Sequence, residues 1–80
     1  MRIDKYLKNS RLIKRRTVAK EACEKERVLI NGRPAKPGAE VKLGDIILLR
    51  FGNSEVKVRV AALTESPRKE DAAQMYEAIE

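Results

Sequence analysis

Residues 1–20 read MRIDKYLKNSRLIKRRTVAK, and their reading decides the rest. Arg2, Lys5, Lys8, Arg11, Lys14, Arg15, Arg16 and Lys20 stand against one acid, Asp4. Eight bases against one acid net +7 in an 80-residue chain whose total is +6, so residues 21–80 net −1. The positive charge is therefore local. It is interleaved with Ile3, Tyr6, Leu7, Leu12 and Ile13, which are anchors to a folded body. Ile3, Tyr6 and Leu7 recur at i, i+3, i+4, so residues 3 to 9 are predicted as a short helix. Arg2, Lys5 and Lys8 then form a row at i, i+3, i+6 pointing away from that face. The stretch reads as a folded polyanion-binding surface, with RNA as the favoured polyanion.

Working outward, Asn9 and Ser10 are stop residues, and Arg11 to Arg16 connect to a second helix. Thr17 is the expected N-cap. Glu21 falls in the first turn, where its charge suits the helix dipole. This helix is expected to run to about Glu26, with Val18, Ala19, Ala22 and Cys23 as a narrow inner stripe. Lys14, Arg15 and Arg16 then sit just before a helix N-terminus, whose free N–H groups suit a phosphate. The pattern next changes to period two. Val28 and Ile30 alternate with Leu29 before Asn31-Gly32, a strong hairpin signal. Pro34 makes the return arm an edge or a very short strand. Gly44-Asp45 marks a second turn. Ile46 to Phe51 has few polar positions and is expected to be covered on both faces. Val56, Val58 and Val60 alternate with Lys57 and Arg59, a half-exposed strand.

Ser66-Pro67 carries the signature of a helix start. Ala72, Ala73, Met75, Tyr76 and Ile79 extend it as a helical apolar stripe. Residues 61–80 hold two bases against five acids, a net −3. The expected architecture is α+β: two N-terminal helices packed on a small twisted antiparallel sheet, plus a C-terminal helix. Residues 1–62 form the basic domain, and residues 63–80 an acidic helical extension.

Several function classes find no support in the residues. The chain has no histidine and one cysteine, so neither an intramolecular disulfide nor a Cys/His zinc cluster is expected. No cofactor or metal is expected. Cys23 reads as a small buried hydrophobe with no histidine to activate it. There is no glycine-rich phosphate loop and no Gly-x-Ser-x-Gly, so no enzyme activity is expected. No apolar run approaches the ~18 residues of a transmembrane helix. A membrane-surface helix would carry a broad bulky apolar face, and this chain has no Trp and one Phe. No signal peptide is read at the N-terminus, and the expected location is cytoplasmic.

Four stretches together resemble a known family. They are Arg2-Ile3-Asp4-Lys5-Tyr6-Leu7, then Ser10-Arg11-Leu12-Ile13-Lys14-Arg15-Arg16-Thr17, then Ala19 to Ala22, then Arg27-Val28-Leu29-Ile30-Asn31-Gly32. With Gly44-Asp45 they are similar to the alpha-L RNA-binding motif, the domain named after ribosomal protein S-four. The likeness covers residues 1 to 60. The family's small-Ser pair before the second helix is Arg16-Thr17 here. SRLIKRRT at 10–17 and AAQMY at 72–76 narrow the likeness to its ribosome-associated quality-control branch.

That resemblance implies a non-enzymatic factor that binds a stalled large ribosomal subunit. It would contact large-subunit rRNA and the P-site tRNA, stabilising peptidyl-tRNA during C-terminal alanine tailing. It implies an alanine-tailing factor as partner on the same subunit. Arg2 and Arg16 would be the key RNA contacts, with Lys5, Arg11, Lys14 and Arg15 around them and Lys8 and Lys20 at the margin. Independently of the resemblance, Asp4 is expected to orient a neighbouring base and to do no chemistry. A monomer is expected. Two alternatives stay open: a heat-shock-type factor recycling large subunits with nascent chains, or an accessory domain partnering an RNA-modifying enzyme. The heat-shock relative usually carries a long basic C-terminal extension, where this sequence has a short acidic one.

Overall fold

Asn31-Gly32 turns the chain with both residues in the left-handed region, φ 52° and 83°. Such a turn matches the twist of the strands it joins. In the computed structural model, which describes residues 1–79, it joins β1 (Val28–Ile30) to β2 (Arg33–Pro34). β3 (Ile46–Phe51) and β4 (Ser54–Val60) form the longer hairpin. α1 (Ile3–Asn9) and α2 (Arg16–Glu24) precede the sheet, while α3 (Lys69–Ala72) and β5 (Tyr76–Ala78) follow it. Among the described residues the sheet has five strands, ordered β2-β1-β3-β4-β5, with antiparallel pairings. The α+β architecture with two N-terminal helices on a small antiparallel sheet is therefore the one expected.

Asn31 also joins the two turns. Its amide Nδ2 donates to Asp45 Oδ1 at 3.1 Å, and its Oδ1 accepts the Ile46 N–H at 2.9 Å. Asp45 in turn accepts the Lys42 N–H at 2.9 Å. A single core lies between the helices and one sheet face. Ile3, Tyr6, Leu7, Val28, Ile47 and Val58 are fully enclosed there, with Ala19 and Cys23 from α2. Small side chains on α2 let its backbone approach closely.

Several details differ from the expectations. α2 begins at Arg16, so its N-cap is Arg15 and not Thr17, and Arg15 makes no side-chain capping bond. Val18 is 47% exposed, because it sits about 100° around the helix from the enclosed Ala19. It lies at the rim of a shallow cleft beside Phe51 and Arg27. β3 is not covered on both faces. Ile47 and Leu49 are buried, Ile46 and Leu48 are half-buried, and Arg50 and Phe51 are exposed. The helices pack against the face of Ile47 and Leu49, while Leu48 points to the other face, between its register neighbours Leu29 and Lys57.

The largest difference is at the C-terminal end. A helix is present but has four residues, and Arg68 stands at its N-cap in place of Ser66. The Asp71 carboxylate accepts the Arg68 N–H at 3.1 Å. Met75 then drops into the core and is fully buried. Tyr76–Ala78 pairs with β4, Val60 opposite Tyr76 and Val58 opposite Ala78. Ile79 N–H donates to the Lys57 carbonyl at 2.9 Å. The far edge of β4 offered unpaired backbone groups, and this segment satisfies them. Glu80, the last residue of the expected extension, lies outside the described residues.

Candidate nucleic-acid interface

The site is built on an acid. α1 buries Ile3, Tyr6 and Leu7, and Asp4 goes in with them at 2% exposure. A carboxylate in such a place is costly unless it is paired and hydrogen-bonded. Asp4 Oδ1 accepts the Lys5 N–H at 2.8 Å, and Oδ2 accepts Arg2 Nη2 at 3.0 Å. Arg16 Nη2 reaches Oδ1 at 3.4 Å. One buried carboxylate thus holds two guanidinium groups from two different helices.

Each arginine is also placed by backbone. Arg2 is the extended N-cap of α1 and bridges to Glu40, while the next N–H, of Ile3, bonds to the Ala39 carbonyl at 2.8 Å. The Arg2 guanidinium lies over Gly38, where an added Cβ would stand 3.9 Å away. Arg16 is the first residue of α2. Their side chains remain 52% and 48% exposed, so each guanidinium is tethered on one side and open on the other. Thr17 and Lys20 border the same shallow cleft.

Further along α1 the arrangement changes. Lys5 Nζ donates to Glu65 Oε2, and this hydrogen bond, with the ammonium charge behind it, holds the Glu65 carboxyl below the usual range. Asn9 Nδ2 donates to the carbonyls of Thr64 and Glu65 at 3.1 and 3.0 Å, fixing the chain beside Lys5. Sequence reading had taken Asn9 only as a helix stop. Lys8, Arg11 and Lys14 line a common concavity. Arg11 holds φ 63°, unusual for a non-glycine residue, and this bend brings it back toward Lys8. Among the described residues Lys8, Arg11, Lys14, Arg15 and Lys20 make no ion pair. Arg15, at the N-cap of α2, lines neither of these clefts.

The eight bases therefore fall into a tethered pair, Arg2 and Arg16 with Lys20 beside them, and a cluster of Lys8, Arg11 and Lys14. Lys5, on α1, is paired with Glu65, and Arg15, between Lys14 and Arg16 in the chain, lines neither cleft. A guanidinium presents N–H donors in a planar fork, so one edge can hold a carboxylate while another meets a phosphate. Nearby aromatic and thiol groups are committed elsewhere. Tyr6 Oη donates to the Met75 carbonyl at 2.7 Å inside the core. Burial, then the neighbouring Tyr76, raises its hydroxyl pKa further. Burial also pushes the Cys23 thiol up to about 11, with smaller contributions from Asp4 and Glu24. Among the described residues no cluster suited to a metal ion occurs, and no helix is long and apolar enough to cross a membrane.

Comparison with known proteins matches the model of the S4 domain to residues 1–47. The RQC P-site tRNA stabilizing factor of Listeria monocytogenes is 56% identical over 79 residues, covering 99% of this chain and 86% of that protein. Heat shock protein 15 of Escherichia coli is 41% identical over 78 residues, covering 96% of this chain and 59% of that protein. The trimeric structure of Vibrio cholerae Heat Shock Protein 15 superposes with a TM-score of 0.91 at 32% identity, covering 99% of this chain and 81% of that one.

Proposed function

The chain belongs to the S4 domain family, and from that premise we propose that it is a non-enzymatic RNA-binding factor of ribosome-associated quality control. The observation that carries this is the mounting of the eight bases on and between two packed helices, with Arg2 and Arg16 fixed on one buried carboxylate. A disordered basic arm would bind RNA indiscriminately. Bases fixed in space recognise shape, which is how structured RNA is read through its phosphates and 2′-hydroxyls. The names of the relatives supply the setting, since the Listeria protein is called a P-site tRNA stabilizing factor.

In this reading the factor binds the large ribosomal subunit in the cytoplasm. Arg2, Lys5, Lys8, Arg11, Lys14, Arg15, Arg16 and Lys20 contact large-subunit rRNA and P-site tRNA, stabilising peptidyl-tRNA during C-terminal alanine tailing. An alanine-tailing factor works beside it. Residues 1–62 supply the RNA contacts, and residues 63–80 brace them from below. It acts as a monomer, and sedimentation equilibrium distinguishes this from the trimer seen for the Vibrio protein.

The test is co-sedimentation with purified large subunits, with and without peptidyl-tRNA. The protein should pellet with subunits and favour those that carry peptidyl-tRNA. Equal binding to empty subunits favours the heat-shock-type recycling role, which the likeness to Escherichia coli heat shock protein 15 supports. In a pull-down of the native protein, recovery of an RNA-modifying enzyme with no rRNA would sink both.

A further inference from the structure

We propose that Asp4 is the positioning residue of the RNA-binding site: it sets the spacing of Arg2 and Arg16 so that the pair grips neighbouring phosphates of one RNA backbone. This deepens the RNA-binding reading above and rests on it.

The geometry has an unusual sign. An acid inside a basic surface ought to repel RNA, and deleting it ought to help binding. Asp4 nevertheless has both carboxylate oxygens turned toward bases, and its side chain is 3% exposed. It is thereby hidden from an approaching phosphate, while its partners are half exposed. Three donors converge on it: the Lys5 N–H, Arg2 Nη2 and Arg16 Nη2. The two arginine donors come from separate elements and would repel each other if left alone. With Asp4 between them they lie within a carboxylate's width plus two hydrogen bonds. Their outer N–H groups then face solvent at a fixed separation before any ligand arrives. Rotamer freedom that phosphate binding would otherwise remove is already removed. An arginine can do this because its fork serves two acceptors at once, whereas a lysine ammonium acts as a single point charge.

Two contributions therefore oppose each other at Asp4, long-range repulsion and local pre-organisation. Pre-organising two long side chains outweighs one screened charge at physiological salt, where the Debye length is about 8 Å.

The experiment measures binding of a fluorescently labelled RNA hairpin and of isolated large subunits, as a function of salt. Asp4→Asn keeps the shape and adds one positive charge to the net. Its affinity should fall about tenfold, as expected when two fixed side chains become free rotors. Its log–log salt slope should become shallower by about one phosphate contact. The control Glu70→Gln makes the same charge change on the exposed α3 and should bind slightly more tightly. In an Arg2→Ala/Arg16→Ala background, Asp4→Asn should cause no further loss, which a merely structural role would not predict. Arg16→Lys should lose nearly as much affinity as Arg16→Ala.

Asp4→Asn that melts as the parent does and binds as tightly or more tightly overturns the proposal. If Asp4→Asn does not fold, Arg16→Lys decides alone, and parental affinity there overturns it. A parent protein that binds neither RNA overturns the RNA-binding reading itself, and the positioning role with it.

Discussion

The first twenty residues and the segment from residue 61 are opposites in charge, and they are placed against each other. The N-terminal stretch nets +7 and presents bases outward from α1 and α2. The C-terminal stretch is acidic and turns two apolar residues fully inward, Met75 and, nearly so, Ala72. They meet at three levels. Tyr6 Oη bonds to the Met75 carbonyl in the core, Asn9 holds the carbonyls of residues 64 and 65, and Lys5 pairs with Glu65 at the surface. The basic end does the presenting and the acidic end does the bracing. A rigid charged platform needs apolar support beneath it, and here that support is borrowed from the opposite end of the sequence.

Removing the brace is the strongest way to break this relation. A chain stopped after Glu65 loses β5, Met75 and the acceptor for Tyr6. It should lose cooperative thermal unfolding, with loss of RNA binding as the secondary result, and circular dichroism melts check this. Met75→Ala leaves the backbone intact and should cost about 2–5 kcal/mol in urea unfolding, the range for emptying a fully buried site. Tyr6→Phe removes one buried hydrogen bond and should cost about 1 kcal/mol. The Met75 carbonyl keeps its bonds from the Ala61 and Ala62 N–H groups, which limits the loss. RNA affinity should be unchanged in Tyr6→Phe, and a fall would reassign Tyr6 to the interface.

The surface tie gives the smallest effects. Glu65→Gln should free Lys5 and modestly raise RNA affinity, with little change in melting temperature. The folded pKa of Glu65 is lowered, so its contribution is fully present above the ordinary Glu value of about 4.3 and is lost as pH falls through the lowered one. A carboxyl NMR titration should show Glu65 moving at lower pH than Glu in unfolded peptides, and Lys5→Ala should restore the ordinary value.

The same two regions show what sequence carries. α1 was legible because Ile3, Tyr6 and Leu7 keep helical spacing and bury together. The first hairpin was legible from Asn31-Gly32. The segment around Met75 was not. Ala72, Ala73, Met75, Tyr76 and Ile79 satisfy helical spacing, yet the free edge of β4 and the space beneath Tyr6 outcompete a helix there. Neither is local information. The eight candidate bases can be read from the sequence, but their grouping in space cannot, because it depends on the left-handed bend at Arg11 and on α2 starting at Arg16. The burial of Asp4 did leave a trace: it lies one and three positions from Ile3 and Leu7, on the edge of the inner stripe.

The Tyr6–Met75 bond spans 69 residues. That span puts an order on events during synthesis. Tyr6 is made well before Met75, so its hydroxyl has no partner until Met75 has been added. Loop closure over such a length must precede the reward of the contact, which slows folding. Until Met75 is in place, the basic stretch lacks the apolar brace beneath α1. The packing beneath α1 is complete only after β5 has closed on β4.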